Sequence, residues 1–218
     1  MNKPCILLLG GSFDPIHAGH IGVAQYFCTL LHPDELRLIP AGQPWQKTSM
    51  NTPAEHRIAM LKLAFNQWPV PVQIDTQEIQ RAGPSYTVDT LRELRHSLGN
   101  DVSLAWVIGA DQLTNFHTWH EWRQVFELTN LCIAARPGYV LDKAALNSDV
   151  LQEISRRLAS PSQLRQTASG LSYIANNLAW DVSSTVVRES LKLGQPVRDL
   201  LPSPVLDYAQ HHHLYQTT

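Results

Sequence analysis

Apolar residues in this chain come in short runs, and the spacing inside the runs alternates between two patterns. Residues 6–9 are apolar without a break, as in a strand covered on both faces. Ile21, Val23, Ala24, Phe27, Cys28, Leu30 and Leu31 then follow a helical period that stops near Pro33. The same alternation predicts strands at 36–39, 72–79, 102–108, 131–135 and 171–175. Helices are predicted from 52 to about 65, over 86–98, from 142 to about 160, over 185–193 and over 204–212. Thr52-Pro53-Ala54-Glu55 reads as a capping box with Pro at the first helical position, and Gly99 suits a helix stop. Strand and helix in alternation predict an α/β fold. The expected form is a Rossmann-like, doubly wound parallel sheet with helices on both faces and a small C-terminal helical segment. Ligands in such folds sit beyond the carboxyl ends of the strands. The loops after Gly10, Gly109 and Ala135, the last carrying Arg136, lie at such ends.

Composition narrows the class. The 218 residues, 44% of them hydrophobic, suit one sizeable core and a single domain over 1–218. A net charge of −2 argues against a broad nucleic-acid surface, so any polyanion bound is small and held locally. Cys5, Cys28 and Cys132 lie in apolar runs; their odd number and wide spacing give no disulfide framework and no zinc pair. Reduced, buried thiols suit a cytoplasmic protein. The N-terminal apolar stretch is too short for a signal peptide or a membrane span, so no membrane partner is expected. His211-His212-His213 reads as a solvated helix end, with a remnant tag or a metal site as the other readings. The pattern does not set an oligomeric state.

The chemistry concentrates in Gly10-Gly11-Ser12-Phe13-Asp14-Pro15-Ile16-His17-Ala18-Gly19-His20, between the first strand and the first helix. A strand, a glycine turn and a helix start make a seat for phosphate. Gly10 and Gly11 allow close backbone approach. His17 and His20, three apart, share one face if the helix begins near them, and can donate to phosphoryl oxygens as charge builds. A helix N-terminus lowers a histidine pKa, so a neutral donor is as plausible as a cation. The other reading is that both histidines cap the helix. There is no G-x-G-x-x-G fingerprint and no Walker lysine, which separates the site from dehydrogenases and P-loop kinases.

Two further clusters suit anions. Ser183-Ser184-Thr185 precedes a helical run that includes Arg188, and hydroxyls, unpaired N–H groups and a planar guanidinium all bind phosphate. A plain Ser cap with a surface Arg is the alternative. Thr118-Trp119-His120-Glu121 reads as a second capping box, which would put the N–H groups of Trp119 and His120 in the first helical turn, suited to a carboxylate. Trp119 offers a flat face for stacking, or is a core aromatic like Trp122. Asp111 reads as a helix cap, Lys47 as a solvated lysine in the polar loop 41–51, and Arg57 as structural.

GGSFDPIHAGH resembles the signature of the nucleotidylyltransferase superfamily that bears (H/T)xGH, and most resembles its bacterial nicotinate mononucleotide adenylyltransferases. The likeness spans nearly the whole chain. Later motifs recur in order: Ser85-Tyr86-Thr87-Val88-Asp89-Thr90-Leu91, Ile108-Gly109-Ala110-Asp111, Phe116-His117-Thr118-Trp119, Ala135-Arg136-Pro137-Gly138 and Val182-Ser183-Ser184-Thr185-Val186-Val187-Arg188. The resemblance implies adenylyl transfer from ATP to nicotinate mononucleotide by in-line attack at the α-phosphorus. It implies catalytic roles for His17, His20, Lys47 and Arg188. Gly10, Gly11, Ser12, Phe13, His17, His20, Asp111, Ser183, Thr185 and Arg188 would hold ATP, with Asp111 on the ribose. Thr87, Trp119 and His120 would hold the nicotinate side. Many relatives carry His immediately before the lysine; this chain has Gln46. With no carboxylate cluster evident, Mg²⁺ is expected to ride mainly on the ATP phosphates. Other acceptors, such as phosphopantetheine, cytidylyl transfer, and a non-catalytic nucleotide sensor stay open on the residues alone. Class I aminoacyl-tRNA synthetases share a related HIGH motif, but this chain lacks their length and their lysine-rich second signature.

Overall fold

The computed structural model of the protein describes residues 3–43, 52–135, 146–176, 178 and 182–216. The first half of the chain gives β1 (Cys5–Gly11), α1 (Ala18–Leu31), β2 (Glu35–Pro40), α2 (Ala54–Ala64), β3 (Val72–Ile74), α3 (Gln77–Gln80) and α4 (Thr87–Leu98). There follow β4 (Ser103–Gly109), a 3₁₀ segment (Ala110–Thr118), α5 (Trp122–Leu128), β5 (Asn130–Ala134), α6 (Ser148–Arg156), α7 (Pro161–Gln166) and β6 (Ser172–Ala175). Two C-terminal helices, α8 (Ser184–Lys192) and α9 (Ser203–His211), come last.

The six strands pair in parallel in the order β3-β2-β1-β4-β5-β6, the doubly wound arrangement. The order reverses between β1 and β4, whose carboxyl ends therefore open a crevice. Strand residues alternate between two cores, as a period of two requires. Leu7 and Leu9 of β1 pack with Phe27 of α1, Met60 of α2, Leu164 of α7, Val187 of α8 and Val205 of α9. Ile6 and Leu8 pack on the other face with Leu91 of α4, Phe116, Phe126 of α5 and Val150 of α6. Each fully buried Leu or Phe contributes about 1.5–3 kcal/mol of transfer free energy. The three cysteines are free and buried, and burial pushes all three thiols upward in pKa.

Several local expectations are corrected. The strand expected over 72–79 ends at Ile74. Asp75 takes the Gln77 backbone N–H at 3.0 Å, an Asx turn that starts α3 instead. The capping box at Thr52 does not form. Pro53 occupies the N-cap of α2 with no side-chain cap, and the buried Thr52 side chain lies near the Tyr215 hydroxyl instead. The helix expected from 142 to about 160 is, in its described part, Ser148–Arg156, capped by Asn147 Oδ1. Ser160 belongs to the next helix: with Gln163 it closes a full capping box on α7, with Pro161 first. The histidine triplet lies exposed at the end of α9. His213 accepts a left-handed φ of 52° there, while His213 N donates to Gln210 O at 3.1 Å and Leu214 N to Ala209 O at 2.8 Å. That pair of bonds is a Schellman stop.

Candidate active site

β1 runs straight into the loop that carries the candidate chemistry. A Cβ on Gly10 would stand 2.7 Å from the Trp106 indole, and one on Gly11 3.2 Å from the Phe13 ring. The neighbours that exclude side chains there are aromatic, so the two glycines serve the chain's own packing first. Phe13 is fully buried with a left-handed φ of 48°, a conformation that costs a non-glycine residue about 1 kcal/mol. Polar contacts from distant segments hold this loop. Arg57 Nη1 donates to Ser12 O at 2.8 Å, Arg188 Nη1 to Asp14 O at 2.6 Å, and Ser184 Oγ to Pro15 O at 3.1 Å. Tyr215 Oη donates to Asp14 Oδ1 at 2.7 Å.

His17 occupies the N-cap position of α1, in extended conformation, yet its side chain makes no cap hydrogen bond. The capping reading therefore fails for His17. The residue is 5% exposed, and its Nδ1 is buried without a partner. Burial pulls its imidazole from the ordinary 6.5 down to about 4, so at neutral pH it is uncharged and offers one N–H. Desolvation is the cause of this shift, where the sequence pointed to the helix terminus. The His20 ring lies 3.8 Å from that of His17, centroid to centroid, and 5.1 Å from that of Phe13. The small residue in HxGH has a steric reason. A Cβ on Gly19 would come within 3.1 Å of the His17 ring and 3.3 Å of Val182 O.

That last contact brings the C-terminal cluster to the same place. Ser183 caps α8, accepting Val186 N–H at 3.3 Å, so the plain cap reading holds for it. Ser183 and Thr185 are exposed; Thr185 Oγ1 accepts from Arg188 Nη2 at 3.3 Å. Arg188 is not a plain surface arginine: it is half-buried and bonded to the loop between β1 and α1. The two histidines and the C-terminal guanidinium thus meet at one loop. Arg57, 2% exposed, is structural as expected, but its task is specific: it ties α2 to the Ser12 carbonyl. The Asp14–Tyr215 pairing had no signal in the sequence, because nothing in the spacing links a C-terminal tyrosine to that loop.

At the carboxyl end of β4, Asp111 lies in the first turn of the 3₁₀ segment and folds back over Gly109, where a Cβ would meet its Oδ1 at 2.3 Å. It does not cap that segment; the N-cap is Gly109. The capping box at Thr118 is also corrected. Thr118 Oγ1 donates to Asn115 O, Trp119 ends the 3₁₀ segment and gives its N–H to Phe116 O at 3.0 Å, and α5 begins only at Trp122. Trp119 and His120 are therefore not in a first helical turn, and the Trp119 N–H is already spent. Glu121 turns the chain into α5 with a left-handed φ of 47°. Its carboxylate takes Arg92 Nη2 at 2.5 Å and lies 3.2 Å from His120 Nε2. The His120 ring stands 4.7 Å from that of Tyr86, next to Thr87 at the start of α4. Trp119 is half-buried against Phe116, at 4.9 Å, and Trp122 is a core aromatic as expected. Gln46, Lys47 and Arg136-Pro137-Gly138 lie outside the described residues. Among the described residues no group of three or more His, Cys, Asp or Glu is placed to hold a metal ion, and no helix is long and apolar enough to cross a membrane.

Known proteins resemble this chain over most of its length. Residues 8–190 match the family model described as cytidylyltransferase-like. A protein of Herminiimonas arsenicoxydans named "Probable nicotinate-nucleotide adenylyltransferase" is 48% identical over 98% of this chain and 97% of its own. One of the same name from Chromobacterium violaceum is 41% identical over 96% and 97%. Among solved structures, the nicotinic acid mononucleotide adenylyltransferase of Plasmodium falciparum complexed with NaAD superposes with a TM-score of 0.73 at 20% identity, covering 97% of each chain. At that identity the likeness speaks for the fold.

Proposed function

This chain belongs to the cytidylyltransferase-like family as one of its nicotinate-nucleotide adenylyltransferases, and from that premise we propose how its own residues carry the reaction. The substrates are ATP, as its magnesium complex, and nicotinate mononucleotide. An oxygen of the acceptor's phosphate forms a bond to the α-phosphorus of ATP. The bond from that phosphorus to the β-phosphate's bridging oxygen breaks in line, releasing pyrophosphate and leaving nicotinate adenine dinucleotide. No side chain is covalently modified. Rate comes from positioning and from charge stabilisation.

Gly10, Gly11, Ser12 and Phe13 give the triphosphate a rigid edge. His17, neutral and buried, donates one N–H to the α-phosphoryl oxygens, beside His20. Arg188, with Ser183 and Thr185, takes the β- and γ-phosphates, where leaving charge gathers. Asp111 accepts from the ribose, and Lys47 neutralises the reacting phosphates. The donors nearest the loop are imidazoles and guanidinium groups, and the Asp14 carboxylate is engaged by Tyr215. Mg²⁺ would therefore enter with the nucleotide rather than on this chain's carboxylates, and would supply charge neutralisation at the phosphates. On the acceptor side Trp119 offers its face to the nicotinate ring, with Thr87 and His120 at its rim. With the Trp119 N–H spent, preference for acid over amide falls to the remaining donors of the 119–121 turn.

The observation that carries this reading is the 2.6 Å bond from Arg188 to Asp14 O, which brings a residue 174 positions away to the loop of the two histidines. The test is pyrophosphate release with ATP and, separately, nicotinate mononucleotide, nicotinamide mononucleotide, phosphopantetheine or no acceptor. Release is expected to be fastest with nicotinate mononucleotide. Fastest release with phosphopantetheine, or none above the acceptor-free background, overturns it.

A further inference from the structure

The C-terminal tail reaches the phosphate loop by a path that local preferences oppose. After the Schellman stop of α9 the chain passes through His213 at φ 52° and Tyr215 at φ 61°, both left-handed. On the loop side Phe13 is left-handed too. Among the described residues three of the five non-glycine positive-φ positions thus flank one hydrogen bond, from Tyr215 Oη to Asp14 Oδ1 at 2.7 Å. Unfavourable backbone on both sides of a contact persists only where the surrounding contacts hold it. Here those contacts are visible. Asp14 is 5% exposed, the Thr52 side chain lies near the Tyr215 hydroxyl, and the Arg57 guanidinium lies close enough to feel both Asp14 and Tyr215. Leu214 and Tyr215 pack on the same core as Phe13 and Ile16.

The loop's donors do not have equal duties. Arg57 and Ser184 hold the carbonyls of Ser12 and Pro15. Arg188 holds Asp14 O, but it is also the group proposed above for the triphosphate, and a guanidinium drawn toward two phosphates weakens its hold on a carbonyl. At that moment the donor left on Asp14 is Tyr215. We propose that Tyr215 is a positioning residue for nucleotidyl transfer: it holds Asp14, and through it the run into His17 and His20, while Arg188 is engaged by ATP. The proposal rests on the reaction stated above. It places the tail's contribution in turnover rather than in nucleotide affinity.

Tyr215→Phe removes the hydroxyl and keeps the ring, so the packing of Leu214 and Tyr215 on the core stays. Its kcat is expected to fall about tenfold, as for loss of a hydrogen bond to a charged group. KM for ATP and for nicotinate mononucleotide should stay within about twofold. Asp14→Ala, which removes the acceptor that an asparagine would keep, should give a similar loss, and the double variant should be no slower than the worse single variant, because both changes remove one interaction. Independently of turnover, the imidazole NMR signals of His17 should move in Tyr215→Phe. A Tyr215→Phe enzyme with kcat within twofold of wild type overturns the proposal, as does a double variant in which the two losses multiply. If the wild-type protein shows no turnover with this substrate pair, the reaction assignment fails, and the imidazole signals alone judge the brace. Movement then supports it, and unmoved signals refute it.

Discussion

The two ends of the candidate site are built differently. The phosphate end is a buried loop cross-tied by α2, α8 and the tail, with bonds of 2.6–3.1 Å reaching residues 45 to 201 positions away. The end assigned to the acceptor is a half-exposed turn around Trp119–Glu121, held by near-neighbour contacts of Trp119 with Phe116 and Trp122 and by a solvent-facing ion pair from Glu121 to Arg92. Exposed ion pairs contribute about 0–1 kcal/mol. On the reading proposed above, the molecule holds tightly the loop assigned to the chemistry and more loosely the surface assigned to the acceptor. Preorganised donors act at the transition state, where displacement is costly. A selecting surface needs only a difference in affinity.

Substitutions at the two ends should accordingly differ in size and in kind. The largest effect is expected from His20→Ala, which should lower kcat by about 10²–10³ with the fold intact by circular dichroism. Next comes the pH dependence set by His17. Its pKa lies below that of the unfolded chain, so the unfolded state binds the extra proton between pH 6.5 and about 4. Stability should be full above pH 6.5 and fall as pH drops toward 4, by on the order of 3 kcal/mol at most for this one group. Denaturant titrations across that range should show a smaller loss in His17→Gln. Gly10→Ala pushes a methyl group into the Trp106 indole. It should cost about 1–3 kcal/mol of stability by thermal unfolding. Trp119→Ala should be mildest: KM for the acceptor up by roughly three- to tenfold, KM for ATP unchanged. A large loss of kcat in Trp119→Ala with little in His20→Ala would reverse the contrast between the two ends.

The same contrast governs what could be read from the sequence. The continuous apolar runs at 6–9 and 104–108 mark strands that are buried on both faces, and the glycine turn at β1 marks a crevice at the switch point. Periodicity carries that information directly. The turn at 118–121 misled because Thr and Glu at capping-box spacing also fit a chain that is still finishing a 3₁₀ segment. Thr118 bonds backward to Asn115 instead of forward. Thr52 misled for another reason: its side chain is buried near Tyr215, in a tertiary setting that spacing does not show. Arg188 was legible as a candidate phosphate ligand but not as a support of Asp14, and Tyr215 was not legible at all. Such pairings are fixed by how the C-terminal helices pack, and short-range patterns hold no trace of them.

Whether one triphosphate is gripped by groups from both ends of the chain is tested most directly by side-chain NMR of the wild-type protein titrated with a non-hydrolysable ATP analogue. The imidazole signals of His17 and His20 and the guanidinium signal of Arg188 should all move, with one dissociation constant, and the His17 pKa should rise as the anion binds. Histidine signals that move while Arg188 stays unchanged, or two separate binding constants, would contradict a shared phosphate pocket.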